Sequence, residues 1–133
     1  MTESVRWKQR FSNYEKAFKQ LSEAVDRGEY NELEQAGLIQ IFEVVFELGW
    51  KTLRDKLEYD GFKANSPRET IKIAFRNGYI SDGELWIDAL DHRNLLSHTY
   101  DEAKSNEARD LIRGRYFILL KDLHSYLRTE ADR

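Results

Sequence analysis

The sequence contains no cysteine and a single proline. Without cysteine there is neither a disulfide framework nor a thiolate metal site. The longest apolar-rich stretch, residues 38–50, is interrupted by Gln40, Glu43 and Glu47 and is too short to cross a bilayer. The N-terminus has no basic segment followed by an apolar one, as a secretory signal would. These absences together predict a cytoplasmic protein.

The charge balance is slightly acidic, with 21 lysines and arginines, 24 aspartates and glutamates, and a formal net charge of −3. Bulk electrostatics would therefore repel nucleic acid, and any contact with RNA requires a local basic site. Hydrophobic residues make up 41% and charged residues 34% of the chain, which excludes a disordered or membrane-embedded protein. A length of 133 residues fits one domain over residues 1–133.

Apolar residues recur at helical spacing along nearly the whole chain, and no convincing stretch alternates with the period of a strand. A first helix is predicted over residues 5–27 and ended by Gly28. A second is predicted over residues 31–60, where Asn31 and Glu34 have the spacing of a capping box.

Further start signals divide the rest of the chain into helices. Residues 66–69, Ser-Pro-Arg-Glu, combine a serine cap, a proline at the first helical position and a glutamate three residues after the cap. Residues 81–84, Ser-Asp-Gly-Glu, repeat the capping box and open a fourth helix; the last helix is predicted over residues 106–128. Because the connections are short, we predict an all-α fold, a four- to five-helix up-and-down antiparallel bundle.

The second helix carries a charged stripe on an otherwise apolar segment. A helix that is apolar nearly all round, as over residues 38–50, is normally buried in a core or against another subunit. The stripe either is a solvated edge with ordinary ion pairs or lines a polar groove or an interface. Its members are spaced three or four residues apart: Gln40, Glu43, Glu47, Lys51 and Arg54.

Arg93, His98 and Tyr100 are the candidate chemical residues. Arg93 lies one turn beyond Ala89 and two turns beyond Trp86, so we expect it to continue an inward-facing apolar stripe and to need an anion or a carboxylate. Five residues of helix rotate the side-chain direction by about 140°. Arg93 and His98 therefore converge only if the helix ends between them, or across a two-fold axis with a second copy.

From spacing alone these residues also fit a structural role. In that interpretation Arg93 pairs with Glu47 or Glu43, and His98 caps a helix carbonyl. His92 and His98 are six residues apart, which does not suit the four-residue spacing of helical metal ligands, so we predict no metal site.

Several blocks of the sequence resemble one protein family. Residues 91–100, DHRNLLSHTY, resemble the R-x4-H-x-Y signature of HEPN proteins in toxin–antitoxin pairs. Residues 46–53, FELGWKTL, are similar to a second family block, and the helix starts at 66–69 and 83–86 are similar to further ones. The resemblance covers nearly the whole chain and points to the subgroup called nucleotidyltransferase substrate-binding proteins.

The resemblance implies a homodimer in which Arg93 and His98 of both copies are catalytic residues at a composite cleft. Members of the toxin branch are similar to metal-independent endoribonucleases, with no cofactor in this subunit. The resemblance also implies a partner, a minimal nucleotidyltransferase with its own ATP and Mg²⁺ site. That partner silences the toxin by transferring AMP to the motif tyrosine, here Tyr100.

The chemistry of the residues is compatible with RNA cleavage. Histidine titrates near neutral pH and can accept or donate a proton, and arginine offers a fork of donors that matches phosphate oxygens. Asn94 adds a hydrogen-bond donor, and Glu47 and Lys51 are predicted supporting residues. The second hypothesis is a non-catalytic subunit that docks a nucleotidyltransferase and presents its substrate; a purely structural bundle would leave Arg93 and the stripe unexplained.

Overall fold

The structure, a computed structural model, describes residues 2–96 and 101–133, with all side chains in these ranges except those of residues 94–96. Within them the last three helical segments follow one another without a break over residues 102–131, and we call this rod the long helix. The described chain thus forms five helical rods and no strand. The predicted all-α bundle is confirmed. Its elements are α1 (Glu3–Asp26), α2 (Glu32–Tyr59), α3 (Pro67–Arg76), α4 (Gly83–Leu96), α5 (Glu102–Leu111), a π-helical segment (Ile112–Tyr116) and α6 (Phe117–Ala131).

Two of the predicted helix starts are confirmed by their hydrogen bonds. Asn31 accepts from the backbone N–H of Glu34 at 2.8 Å, and the Glu34 carboxylate accepts from the Asn31 N–H at 2.9 Å, which completes the capping box of α2. Ser66 Oγ accepts from the N–H of Glu69 at 3.1 Å and caps α3. Such caps satisfy backbone donors that the first helical turn leaves unpaired.

Two other predicted starts are wrong in position. Asp82, not Ser81, caps α4, because its Oδ1 accepts from the N–H of Leu85 at 3.0 Å. The last helix begins at Glu102 rather than residue 106. Its cap is Asp101, whose Oδ1 accepts from the N–H of Ala103 at 2.8 Å. The first turn of α5 is polar and exposed, so apolar periodicity gives no signal there.

The core forms where α1, α2 and α6 meet. Gly49 of α2 lets Tyr14 of α1 approach closely, since a Cβ at position 49 would lie 3.2 Å from Tyr14 Cε1. The Tyr14 hydroxyl in turn donates to the carbonyl of Leu120 in α6 at 2.5 Å. This glycine therefore allows the close packing of α1 against α2. None of the helices in the described ranges is both long and apolar enough to cross a membrane.

The π segment turns two large side chains into the core. Ile112 and Tyr116 are both fully buried, and the N–H of Phe117 bonds to the carbonyl of Ile112, five residues back. Tyr116 stacks on Phe42 of α2 with ring centroids 5.9 Å apart. The second half of α4 lies beside both α2 and this segment, and its Arg93 contacts α2.

Candidate active site

Arg93, near the end of α4, is exposed and paired with Glu47 of α2. Its Nη1 lies 3.4 Å from Glu47 Oε1, and the two side chains are 43% and 44% exposed. The prediction that Arg93 points inward is wrong, and the predicted structural pair with Glu47 is present. Trp86 and Ala89 are buried on the same helix, but the long arginine carries its charge past their apolar surface to the edge.

Glu47 is shared by three donors. Besides Arg93, the indole N–H of Trp50 donates to Oε2 at 3.0 Å, and Lys51 Nζ lies 3.7 Å from the same oxygen. The pair between Glu47 and Lys51 is the one that their four-residue spacing favours. The carboxylate is therefore held in place even when one of its partners moves.

The rest of the charged stripe follows the solvent edge of α2. Gln40 is exposed, and Glu43 and Arg54 are half-buried. Partial burial raises the pKa of the Glu43 carboxyl. The Arg54 guanidinium lies 5.1 Å from the centre of the Trp50 ring, a cation–π contact.

An apolar strip runs beside these charges on the same exposed side of α2. We call it the α2 strip: Gly37, Ile41, Val44 and Leu48, spaced by four, three and four residues. Val44 is 42% exposed, and Ile41 and Leu48 are half-buried. A surface with apolar residues at this spacing, flanked by ion pairs, is typical of a helix that packs against another helix.

The remaining motif residues lie outside the described part of the chain. This applies to His98 and Tyr100 altogether and to the side chain of Asn94, whose backbone belongs to α4. The structure places both flanks of the segment, α4 through Leu96 and the cap residue Asp101. Because Asp101 uses its carboxylate to cap α5, part of the negative charge beside the motif is balanced by the helix terminus.

A hydrogen-bonded cluster one turn before the motif was not anticipated from the sequence. The Tyr116 hydroxyl donates to Asp88 Oδ2 at 2.8 Å and lies 3.1 Å from His92 Nδ1. His92 Nδ1 is also 2.9 Å from the Asp88 carbonyl oxygen. Burial first, and then the bond to Asp88, raises the pKa of the Tyr116 phenol well above its usual value. The four-residue spacing of Asp88 and His92 was the available signal.

A second unanticipated cluster joins the start of α2 to α5. The Gln35 amide, in a side chain that is 8% exposed, donates to Ser105 Oγ at 2.7 Å and to Asn106 Oδ1 at 3.0 Å. Its oxygen accepts from Arg109 Nη1 at 3.1 Å. These bonds fix the beginning of α5, the element that follows the motif directly. They border a polar cavity of about 460 Å³.

Comparison with known proteins identifies relatives over most of the chain. The family described as nucleotidyltransferase substrate binding protein like matches residues 9–129. A crystal structure of a Thermus thermophilus protein is similar, with a TM-score of 0.77 and 32% identity over 86% of this chain and 98% of that one. A Haemophilus influenzae structure, described as revealing the fold of a substrate-binding domain of a nucleotidyltransferase, matches with a TM-score of 0.68 and 28% identity over 94% of this chain and 98% of that one.

One curated relative has a functional name. It is a Haemophilus influenzae protein named Probable ribonuclease HepT, 36% identical over 75 residues. The match covers 53% of this chain and 51% of the relative, so the chain spans about half the length of the curated relative it matches.

Proposed function

The chain belongs to this nucleotidyltransferase substrate-binding protein family, and on that premise we propose that it is a metal-independent endoribonuclease. In this proposal it is the HEPN subunit of a two-component HEPN/minimal-nucleotidyltransferase toxin–antitoxin system. Arg93 binds the scissile phosphate, and His98 acts as general acid/base. The observation that carries the proposal is the exposed Arg93 guanidinium at the start of the R-x4-H-x-Y motif.

Arg93 is suited to exchange its partner for a phosphate. Its contact with Glu47 is long, at 3.4 Å, and both side chains are more than 40% exposed. Ion pairs in such positions contribute about 0–1 kcal/mol in water. A phosphate offers bidentate hydrogen bonds to the guanidinium, which are stronger. When Arg93 leaves, Glu47 keeps Trp50 and Lys51 as partners, so no carboxylate is stranded.

The reaction needs a base, an acid and positive charge, and it balances without a metal. The base removes the proton of the 2′-hydroxyl, and the 2′-oxygen bonds to phosphorus while the bond from phosphorus to the 5′-oxygen breaks. The acid gives the leaving oxygen a proton, and the products carry a 2′,3′-cyclic phosphate and a 5′-hydroxyl. Imidazole suits both proton transfers near neutral pH, and Arg93 stabilises the negative phosphorane.

A second copy of the chain would complete the cleft through the α2 strip. When two identical helices pack antiparallel about a two-fold axis, the same flank of each meets. Glu47 lies on one flank of the strip, three residues from Val44, or about 4.5 Å along the helix axis. A two-fold axis near Val44 therefore brings both Arg93 side chains to one side of the dimer.

The family also supports a nucleotidyltransferase as partner. In the proposed pair that partner binds ATP and Mg²⁺ and transfers AMP to Tyr100. The adduct would add bulk and negative charge where an RNA phosphate must bind, which would block cleavage.

The alternative function is a non-catalytic subunit that presents a substrate to the nucleotidyltransferase. The description of the Haemophilus influenzae structure as a substrate-binding domain favours it. Fold, dimer and partner are the same under both functions, so only catalytic activity separates them.

The test is cleavage of a mixed RNA substrate in EDTA by the purified chain and by Arg93→Ala and His98→Ala. Arg6→Ala is the matched control, because Arg6 also forms an exposed pair at 3.3 Å with a glutamate, Glu58, on the same helix as Glu47. We expect products with 2′,3′-cyclic phosphate ends from the wild type and the control. The cleavage rate should fall at least about a hundredfold in Arg93→Ala and in His98→Ala. The absence of wild-type cleavage, or equal cleavage by Arg93→Ala and His98→Ala, would favour the substrate-presenting alternative.

A further inference from the structure

The proton on the His92 ring is located by its neighbours. Nδ1 faces the Asp88 carbonyl oxygen at 2.9 Å, which can only accept a hydrogen bond. It faces the Asp88 carboxylate at 3.4 Å, which also only accepts when ionised. Its third neighbour, the Tyr116 oxygen at 3.1 Å, has one proton, and that proton points to Asp88 Oδ2 at 2.8 Å. All three neighbours therefore accept, and Nδ1 carries the hydrogen.

The opposite arrangement is disfavoured by electrostatics. If the tyrosine donated to a bare Nδ1, its oxygen would face the Asp88 carboxylate at 2.8 Å with no hydrogen between them. Nδ1 would then face the carbonyl oxygen at 2.9 Å with both lone pairs opposed. Each of these contacts would hold two acceptor atoms together with no hydrogen between them, at a cost that the first arrangement avoids.

The result is an imidazole prepared to accept a proton. With Nδ1 protonated, the lone pair of the neutral ring is on Nε2, away from Asp88 and Tyr116, in a side chain that is 43% exposed. The Asp88 carboxylate stabilises the imidazolium that forms, as a carboxylate hydrogen-bonded to a catalytic histidine commonly does. The pKa of the Tyr116 phenol is raised, so its hydroxyl stays protonated and keeps the cluster intact.

We propose that His92 is the general base of the ribonuclease reaction, which leaves His98 only the acid half of the role it has in the proposed function. This rests on the proposed function and divides between two histidines the roles assigned there to one. His92 immediately precedes Arg93 in α4 and points about 100° away from it around the helix, so the scissile nucleotide would lie across two adjacent faces of α4. Nε2 of His92 takes the 2′-hydroxyl proton, and His98 supplies a proton to the 5′-oxygen. Solvent then restores both rings.

The charged groups around the cluster come from two elements. On α4, Asp88 faces the ring, and Asp91 is paired with Arg68 of α3 on another side of the helix. On the long helix, Glu107 and Arg115 act on the Tyr116 phenol with opposite signs. Asp88 is therefore the charged group that lies nearest the His92 ring, with its Oδ1 3.4 Å from Nδ1.

The test uses a leaving group that needs no acid. At the cleavage position mapped with natural RNA, the 5′-oxygen is replaced by sulfur in a bridging phosphorothiolate, since a thiolate leaves without protonation. The variants are His92→Gln, His98→Ala and, as the matched control, His124→Gln, whose histidine lies on α6 and pairs with Glu15. Helical circular dichroism and the thermal midpoint establish the folded fraction of each.

We expect the cleavage rate of His92→Gln to fall about a hundredfold or more on both substrates, because a positioned base usually contributes about 10²–10⁴-fold. The cleavage rate of His98→Ala should fall as much on natural RNA but by less than tenfold on the thio substrate. The acidic limb of the pH–rate profile should disappear in His92→Gln, and His124→Gln should match the wild type. Asp88→Asn, which keeps an acceptor for Tyr116, should lower the cleavage rate because it removes the negative charge beside the imidazolium.

The possible failures are distinguishable. If folded His92→Gln cuts both substrates as fast as the wild type, His92 is not the base, while the ribonuclease function stands. If His92→Gln is rescued by the thio substrate and His98→Ala is not, the two roles are reversed and the assignment is wrong. If the wild type cuts neither substrate, the proposed function fails and the base assignment fails with it.

Discussion

Glu47 competes with RNA for Arg93 in the proposed mechanism. Its carboxylate contacts the guanidinium directly and is held there by Trp50 and Lys51. A phosphate must therefore displace a carboxylate that stays close by. The cost is small, because the pair is half exposed and water screens it.

Replacement of this carboxylate should tighten RNA binding. In Glu47→Gln the amide still accepts from Trp50 but no longer competes with phosphate as an anion. We expect the dissociation constant to fall by about two- to fivefold, the equivalent of roughly 0.5–1 kcal/mol, with little change in kcat. The measurement is fluorescence anisotropy of labelled RNA at fixed salt. Glu58→Gln, which releases Arg6 instead, is the control and should bind as the wild type does; weaker binding by Glu47→Gln would contradict the competition.

Glu15 links α1 to α6 through a pH-dependent contact. Its carboxylate accepts from His124 Nε2 at 2.9 Å and from Arg128 Nη1 at 3.0 Å. The hydrogen bond from His124, and then the contacts with Arg128, hold the pKa of Glu15 below its usual value despite partial desolvation. Because the folded-state pKa is the lower one, the contact stabilises the fold above the unfolded value and is lost as the pH falls through the folded value.

The stability of Glu15→Gln should therefore approach that of the wild type in acid. At pH 7 we expect the variant to unfold at a lower urea concentration. The difference between the two midpoints should shrink as the pH falls from about 5 to about 3, on either side of the unfolded glutamate value of about 4.3. Urea titrations at a series of pH values measure it, and a difference independent of pH would refute this account.

Capping residues in the sequence predicted where helices begin, but no local sequence signal predicted how the last helical segments continue into one another. The caps at Asn31 and Ser66 were predictable because side chain and backbone partners are three residues apart. The start of the last helix was missed because its first turn has no apolar face, although Asp101 was readable as a cap. The π segment has no local sequence signal, since its reason is the burial of Ile112 and Tyr116 against distant helices.

The close approach of α1, α2 and α6 depends on Gly49. A methyl group there would lie 3.2 Å from Tyr14 Cε1 and 3.4 Å from Leu123 Cδ2. Tyr14 is fully buried and bonded to the Leu120 carbonyl, so it has no room to move away. Overpacking of this kind costs about 1–3 kcal/mol, against a gain of about 1 kcal/mol in helix propensity.

We accordingly expect Gly49→Ala to lower the free energy of unfolding by about 1 kcal/mol, the middle of the balance between overpacking and helix propensity. Gly114→Ala is the matched control, because a Cβ at that helical glycine would meet nothing within 4 Å. It should be neutral or stabilising. Denaturation with urea, read by circular dichroism, compares the two; an unchanged Gly49→Ala would mean that α1 and α6 can separate at little cost.

The arrangement of the whole bundle decides what the candidate site contains, and sequence reasoning reached only part of it. Arg93, Glu47 and their contact were predictable as one of two alternatives. The role of Tyr116 was not, because it meets His92 only after α4 has folded back on the long helix, 24 residues later in sequence. The inward direction expected of Arg93 was wrong because periodicity gives the face of a side chain but not how far its end extends.

Dimerisation through the α2 strip should be necessary for cleavage. Val44→Glu puts a charge at the centre of the strip, at a position that is 42% exposed in the single chain. We expect the variant to stay helical, to be a monomer at micromolar concentration by light scattering, and to lose RNA cleavage. The wild type should be a dimer under the same conditions. A monomeric wild type, or a dimeric and active Val44→Glu, would exclude this interface.

The π segment also determines how the long helix can change over evolutionary time. A turn that holds one extra residue offsets the side-chain directions of α5 from those of α6 by about 100° relative to an unbroken α-helix. Ala108 and Arg109 therefore face their neighbours independently of Leu120 and Leu123, which pack against α1 and α2. Substitutions that reshape the surface beside the motif need no matching changes on the other half. Within this one continuous helix, α5 can therefore vary while α6 stays constant.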